Sequence, residues 1–173
     1  MNAITASGQD AEATITLRAL HASDESFLRG VYASTRIDEL APLAWEQAQV
    51  DAFIDMQFQA QCQHYWRHLD VSRFRIIVCD GIDAGRLYVE RRECELRVVD
   101  IALLPAFRNR GIATRLLRQL FDEADQDGLV VSIHVEHSNP AQNLYSRLGF
   151  VLRGEAGEVY RLMERMPRDV AVA

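Results

Sequence analysis

The sequence has little cysteine, no excess of positive charge and no long apolar run, and each shortage excludes a class of protein. Three cysteines in 173 residues, Cys62, Cys79 and Cys94, form no C-x-x-C pair, so we expect reduced thiols in a cytoplasmic protein. A net charge of −6 disfavours nucleic-acid binding, which needs a basic surface. No apolar stretch is long enough to cross a bilayer, so no membrane partner is expected.

The first twelve residues are small and polar, without the basic start and apolar centre of a secretory signal peptide. We expect residues 1–12 to form a flexible tail and residues 13–173 to form a single domain, because this length supplies one sizeable core. His64 and His68 share a helical face, but no third ligand follows at the spacing that a metal site requires. No metal is therefore expected.

Hydrophobic periodicity predicts an α/β (α+β) domain with seven strands and four helices, in the order β-α-α-β-β-β-α-β-α-β-β. The strands are expected near residues 14–20, 73–79, 86–90, 94–104, 129–135, 150–153 and 159–166. Ser23 is expected to cap the first helix, and further helices are expected near residues 46–68, 112–124 and 138–149. The glycines at positions 81 and 85 predict a hairpin turn over residues 80–85.

Residues 100–120 are the most informative stretch, because an apolar strand stops at Pro105 and a short loop then enters an amphipathic helix. The first amides of a helix have no partner inside it, and the helix dipole is positive at that end. Arg108 and Arg110 add positive charge, and Gly111 has no β-carbon to keep a ligand away from the main chain. The junction therefore predicts a binding site for a diphosphate.

Two common phosphate loops are excluded here. A Walker loop needs a glycine followed by lysine, and a dinucleotide fingerprint needs three spaced glycines, whereas this loop has one glycine and no lysine near it. A plain strand-to-helix connection with solvated arginines is the alternative. Residues 108–113, RNRGIA, resemble the [QR]-x-x-G-x-[GA] signature of the GNAT superfamily of N-acetyltransferases, in which this loop holds the diphosphate of acetyl-coenzyme A.

A second segment, SNPAQNLYSRLGF at residues 138–150, resembles the GNAT pattern N-x-x-A-x-x-L-Y-x-x-x-G-F. Ser138 stands where asparagine is commonest, and Asn139 follows it. The resemblance implies a GNAT fold, a single mixed and mostly antiparallel twisted sheet of about seven strands flanked by about four helices, with strands four and five splayed. It also implies acetyl transfer from acetyl-coenzyme A to a primary amine by direct attack in a ternary complex.

The acceptor is left open by the sequence, because a small molecule, an amino acid and a peptide or protein amine fit equally. A non-catalytic sensor that binds coenzyme A and an interaction module on the same fold are the alternatives to an enzyme. A homodimer is compatible with the sequence. The resemblance implies coenzyme contacts from the fourth strand, the loop and the last segment, namely Ile101, Ala102, Leu103, Arg108, Asn109, Arg110, Gly111, Ile112, Ala113, Thr114, Asn139, Asn143 and Arg147. Arg147 could equally cover a helix flank.

The same resemblance implies that Tyr145 donates a proton to the leaving thiolate, and its phenol stays protonated at neutral pH. A packed core aromatic is the alternative for Tyr145. The candidates for a general base are Glu90, Asp100, His134 and Glu136, with a water relay near Glu90 or Glu136 preferred. The acceptor pocket is expected to be lined by the first helices, through Arg36, Glu39, Trp45, Phe58, Gln61 and Tyr65. A solvated helix face is the alternative for Gln61 and Tyr65.

Overall fold

The computed structural model describes residues 13–168, so the expected tail at residues 1–12 lies outside the described residues. The strands are β1 Ile15–Ala19, β2 Phe74–Cys79, β3 Ile82–Arg91, β4 Glu95–Leu103, β5 Val130–Glu136, β6 Val151–Ala156 and β7 Tyr160–Arg165. The helices are α1 Glu25–Leu40, α2 Gln47–His68, α3 Ile112–Asp127 and α4 Gln142–Arg147. Within residues 13–168, no helix has the length and apolar character needed to cross a membrane.

The seven strands form one sheet in the order β1-β2-β3-β4-β5-β7-β6. Every neighbouring pair is antiparallel except β4 and β5, which run parallel because α3 connects them as a crossover. The predicted number, order and mixed character of the elements are therefore confirmed.

The sheet carries a separate apolar core on each face. On one face, α3 buries the stripe that its spacing predicts, including Leu116, Leu117 and Phe121, among residues of the central strands. On the other face, α1 and α2 cover the first strands, and Phe58 of α2 packs beside Tyr32 of α1. The two cores hold the central strands rigidly, so functional groups at their ends are well positioned.

Two local predictions were wrong. The hairpin turn is limited to Asp80 and Gly81, both with positive φ, and Gly85 lies inside β3. A β-carbon on Gly85 would lie 2.1 Å from the carbonyl oxygen of Ala102, so this glycine permits close approach of β3 and β4 instead of a turn. Helix α1 begins one residue later than predicted, with Asp24 rather than Ser23 at its N-cap position.

Asp24 is held in that position by an ion-pair network. Its two carboxylate oxygens each accept a hydrogen bond of 2.8 Å from the guanidinium of Arg18 in β1, and one of them also accepts from the amide of His21. Arg18 pairs in addition with Asp83 in β3. The network fastens the start of α1 to the edge of the sheet.

The strands β4 and β5 pair over only part of their length. Their register runs from Glu95 and Val130 to Val98 and Ile133, after which β5 continues beside β7 and β4 continues beside β3. Val99 has no partner in the β3 register, which marks a bulge in β4 at the point of separation. The predicted splay of strands four and five is confirmed, and it opens a gap in the middle of the sheet.

Candidate active site

A groove of about 1030 Å³ extends from this gap along the loop after β4 and the start of α3 to α4. Twelve of the thirteen predicted coenzyme residues line it, namely Ile101, Ala102, Leu103, Arg108, Asn109, Gly111, Ile112, Ala113, Thr114, Asn139, Asn143 and Arg147. Arg110 is the exception, because its guanidinium lies over the ring of Phe107 at 5.5 Å from the centroid. Residues far apart in the chain are thus brought to one surface.

The wall of the groove at the start of α3 is made of main-chain amides. No described residue accepts a hydrogen bond from the N–H groups of residues 109–114. Asn109 and Gly111 have φ values of 60° and 76°, so the loop turns tightly before the helix starts. A β-carbon on Gly111 would contact nothing, since the groove is open beside it. The wall can therefore receive an anion at the positive end of α3.

Arg108 is hydrogen-bonded to the two elements beside this wall. Its Nε donates to the carbonyl oxygen of Leu103 at 2.8 Å, and its Nη2 donates to the carbonyl and hydroxyl oxygens of Ser34 at 2.9 and 3.0 Å. The guanidinium therefore joins the end of β4 to α1 while its charge stays at the groove.

The free edge of β4 faces the gap. The amide of Leu104 donates to the carbonyl oxygen of Ala84 in β3, at 2.9 Å. Because main-chain groups alternate along a strand, the amides of Ile101 and Leu103 are directed to the opposite edge, where β5 has moved away. This edge can bind an extended chain that carries amide groups.

A second, smaller cavity of about 200 Å³ lies at the inner end of the gap and shares Ile101, Ala102, Glu136 and Tyr145 with the groove. It is bounded by α1, α2 and the inner strands, and we call it the inner pocket. Three more residues, Thr35, Glu39 and Asn139, also line both cavities, and the remaining lining residues of the inner pocket are Tyr32, Arg36, Gln61, Tyr65, Arg86, Val99, Asp100, Ile133, His134, Val135 and Tyr160.

Four of the six residues expected to line an acceptor pocket, Arg36, Glu39, Gln61 and Tyr65, lie in the inner pocket. Phe58 and Trp45 are not among its lining residues. Phe58 is only 2% exposed in the core, and Trp45, which precedes α2 and is 40% exposed, packs edge-on against Phe53. The helical spacing identified the correct helix, but Phe58, one turn before Gln61, does not line the pocket.

Glu90, one of the two preferred positions for a base relay, does not line either cavity. It lies opposite Arg97 in the β3–β4 register, four residues along the strand from Arg86, and pairs with Arg92 at 2.6 Å. Glu136, by contrast, lines both cavities.

Two arginines of the inner pocket are already paired with carboxylates. Arg86 is 3% exposed, and its Nη2 lies 2.5 Å from Oδ2 of Asp100 and donates to Oε1 of Gln61 at 3.1 Å. Arg36 pairs with Glu39 at 2.9 Å and with Glu136 at 3.0 Å. Arg86 was not identified from the sequence, because β3 contains several charged residues and the sequence does not show which of them faces the pocket.

Tyr145 lies where the two cavities meet. Its side chain is 5% exposed, and its ring packs edge-on against Phe150. Burial raises the pKa of Tyr145, and the negative charge of Asp100 raises it further, so the phenol keeps its proton at every physiological pH. The hydroxyl makes no hydrogen bond to any other described residue.

His134 is the remaining titratable side chain of the inner pocket that sequence reasoning named. Its Nδ1 is buried and has no hydrogen-bond partner among the described residues. Burial lowers the pKa of His134, and the neighbouring charge of Arg97 lowers it further, so the imidazole is neutral at pH 7.

The family model of the acetyltransferase (GNAT) domain matches residues 70–152, which include the bulged strand, the amide wall and α4. Residues 70–152 are therefore a GNAT acetyltransferase domain. No curated protein matches its sequence.

Solved structures share the GNAT fold over most of their length. The PaiA N-acetyltransferase of Thermoplasma acidophilum, in complex with coenzyme A, has 17% identity and a TM-score of 0.65, covering 88% of this chain and 99% of its own. The ribosomal-protein-S18-alanine N-acetyltransferase of Escherichia coli has 17% identity and a TM-score of 0.58, covering 92% and 99%. RimL, a ribosomal L7/L12 alpha-N-protein acetyltransferase in complex with coenzyme A, has 18% identity and a TM-score of 0.59, covering 90% and 96%.

The second GNAT segment forms the turn after β5 and the short helix α4. The side chain of Asn139 accepts a hydrogen bond of 2.9 Å from the amide of Ala141, and Gln142 donates to the carbonyl oxygens of Glu136 and His137. These bonds fix α4 against the end of β5, which places Tyr145 at the junction of the cavities. Among the described residues, no group of three or more potential ligands forms a metal site in this GNAT domain.

Proposed function

We propose that the protein transfers an acetyl group from acetyl-coenzyme A to a primary amine, by direct attack of the amine while both substrates are bound. The observation that supports this proposal most directly is that one gap in the sheet joins the groove to the inner pocket, with Tyr145 at the junction. Two substrates can therefore enter from different sides and meet. None of the described residues lining either cavity is a cysteine, which disfavours a covalent acyl-enzyme.

The groove fits the coenzyme in three respects. Its volume suits a ligand of this size, its amide wall suits a diphosphate, and the free edge of β4 suits the peptide-like arm. Coenzyme A, when bound, supplies the acetyl group as an activated thioester. Ile101 would hold the arm through its main-chain amide, the amide of Leu103 would face the acetyl group, and the amides of residues 109–114 would hold the diphosphate.

The amine must lose a proton as its nitrogen bonds to the acetyl carbon. Among the titratable groups of the inner pocket, Asp100 and Glu136 are occupied by arginines, whereas His134 is neutral and is not paired. We therefore propose that His134 accepts the proton of the amine, directly or through one water. Glu90 lies too far along β3 to take this role.

The remaining steps follow from the positions of Leu103 and Tyr145. The amide of Leu103 faces the gap and stabilises negative charge on the acetyl oxygen as the carbon–nitrogen bond forms. The carbon–sulfur bond then breaks, and Tyr145 gives its phenolic proton to the departing sulfur. The products are an N-acetylated amine and free coenzyme A, and the proton on His134 returns to Tyr145 through solvent.

The decisive experiment combines coenzyme binding with turnover. Calorimetric titration with acetyl-coenzyme A measures binding, and release of free thiol in the presence of a panel of primary amines measures transfer. Binding together with amine-dependent thiol release supports the proposal. Binding without release for any amine would instead support a sensor, and absence of binding would support an interaction module.

A further inference from the structure

The inner pocket has an unusual composition, because all five tyrosines of the chain meet there. Four of them, Tyr32, Tyr65, Tyr145 and Tyr160, line the pocket directly. The fifth, Tyr88, lies behind the wall, with its ring 6.0 Å from that of Tyr65 and the guanidinium of Arg86 over its face. The pocket therefore presents aromatic rings and phenol hydroxyls to its occupant.

These phenols add no charge to the pocket. Burial raises the pKa of Tyr65, Tyr145 and Tyr160, and nearby carboxylates raise it further. The formal charges come from three carboxylates and two guanidiniums, so the pocket has an excess of one negative charge. Each guanidinium already pairs with at least one carboxylate, since Arg86 holds Asp100 and Arg36 holds Glu39 and Glu136.

From this arrangement we infer that the acceptor is a compact amine with an uncharged aliphatic or aromatic body and no carboxylate beside the amine. The inference rests on the proposed function and specifies its substrate class. It distinguishes such amines from free α-amino acids, which place a carboxylate on the carbon that bears the amine.

A carboxylate on the acceptor would find no unpaired arginine among the described residues that line the inner pocket. To reach Arg86, which is almost completely buried, it would have to displace Asp100, and leaving the half-buried carboxylate of Asp100 unpaired would be costly. To reach Arg36 it would have to displace Glu39 or Glu136, whose charges would then repel it. An α-amino acid therefore binds with an uncompensated negative charge.

An ammonium group meets the opposite situation. The excess negative charge attracts it, and the faces of the tyrosine rings favour a cation through their quadrupole. The volume of about 200 Å³ favours a short body beside the amine, since this pocket is much smaller than the adjoining groove of about 1030 Å³.

The test uses pairs of acceptors that differ only by the carboxylate, namely tyramine with tyrosine, histamine with histidine, and pentylamine with norleucine. Values of kcat/KM are compared at equal concentrations of the neutral amine form. We expect the member without the carboxylate to be at least 100-fold better in the pairs that the pocket accepts. The inference is overturned if the amino acid is within threefold of its partner in any pair that shows turnover.

Tyrosinamide separates charge from size, because it replaces the carboxylate by a neutral group of similar volume. We expect it to resemble tyramine, and a value as low as that of tyrosine would overturn the electrostatic argument. If no amine supports thiol release although acetyl-coenzyme A binds, the proposed function fails as well. Preference for amino acids with normal turnover would overturn this inference alone.

A pair of variants tests whether the pocket carboxylates cause the preference. Glu136→Gln removes the excess negative charge and weakens the hold on Arg36, so we expect the tyramine to tyrosine ratio to fall at least 10-fold. Glu164→Gln is the matched control, because Glu164 pairs with Arg153 and does not line either cavity. An unchanged ratio in Glu136→Gln, or an equal fall in both variants, would contradict the assignment.

Discussion

Val98 of β4 and Ile133 of β5 are the last register partners before the two parallel strands separate. The next residue of β4, Val99, is the bulge, and the residue after it, Asp100, lines the inner pocket. One extra residue in one strand thus ends the pairing and frees the edge that holds Ile101. Both proposed substrate sites depend on this bulge in β4.

Gly111→Asn should weaken acetyl-coenzyme A binding by at least 10-fold. Asparagine tolerates the positive φ of this position better than other side chains, but its side chain would project into the groove beside the amide wall. Valine would be a poor choice, because a β-branched residue is strained at positive φ and would confuse folding with binding. Calorimetric titration of the folded variant measures the effect.

The control for that change is Gly128→Asn. Gly128 also has a positive φ and open space at its Cα, but it follows the other end of α3, away from the groove. We expect the Gly128→Asn variant to bind acetyl-coenzyme A with the dissociation constant of the unmodified protein. Equal affinities in the two variants would remove the amide wall from coenzyme binding.

The elements and the groove were predictable because their signals are local. Strand, loop and helix follow one another within residues 95–127, and twelve of the thirteen residues predicted for coenzyme contact line the groove. The sequence does not reveal that the side chain of Arg110 lies over the ring of Phe107. The fold class followed from the same local periodicity.

The inner pocket was harder to predict, since its walls come from α1, α2, β3, β4, β5 and β7. Glu90 and Arg86 share a face of β3, but four residues of strand separate them by roughly 13 Å. Whether Arg86 or Glu90 lines the inner pocket depends on where β4 and β5 separate. The point of separation depends on the bulge at Val99, which has no sequence signature. Phe58 likewise shares a helical face with Gln61 but is buried in the core.

Tyr145→Phe should lower kcat by at least 10-fold while the dissociation constant for acetyl-coenzyme A changes less than threefold. The variant keeps the ring that packs against Phe150 and removes only the hydroxyl, which no other described residue binds. Steady-state kinetics and titration separate the two quantities. An unaltered rate of thiol release would remove Tyr145 from the proton transfer.

His134→Gln should lower kcat by roughly 100-fold, which is typical of the loss of a general base. In the unmodified protein kcat should fall as the pH drops through the pKa of His134, which lies below 6.5, because only the neutral imidazole accepts a proton. Burial lowers this pKa most, Arg97 and Arg92 lower it further, and Glu95 opposes them. The residue opposite His134 on β7 is Leu162, which carries no charge. The acid limb of the pH profile should disappear in the variant.

His137→Gln is the matched control for that experiment. His137 directly follows β5, contacts Glu155 and does not line either cavity. We expect normal kcat and an unchanged acid limb. If the acid limb survives in His134→Gln, another group takes the proton.

Gly85→Ala should destabilise the fold, because its β-carbon would meet the carbonyl oxygen of Ala102 at 2.1 Å and force β3 away from β4. Gly30→Ala should instead stabilise it by about 0.5–1 kcal/mol, since Gly30 lies inside α1 with nothing within 4 Å of the new carbon. Urea unfolding of both variants measures the free energy of unfolding. Equal effects would mean that β3 and β4 tolerate a larger separation.

Asp24→Asn should destabilise the protein at neutral pH by roughly 1–3 kcal/mol, because it removes the negative charge and one of the two oxygens that accept charge-assisted hydrogen bonds from Arg18. These hydrogen bonds hold the pKa of Asp24 at about 2, below the ordinary value of 3.8. The unfolded chain therefore binds the proton first as the pH falls, and the stabilisation is complete above pH 3.8 and lost toward pH 2. The difference in unfolding free energy between the two proteins should stay constant from pH 7 to pH 5 and narrow below pH 4.

The control is Asp122→Asn, on the exposed side of α3, which should leave the free energy of unfolding unchanged across this range. A constant difference for Asp24→Asn down to pH 2.5 would contradict the lowered pKa of Asp24.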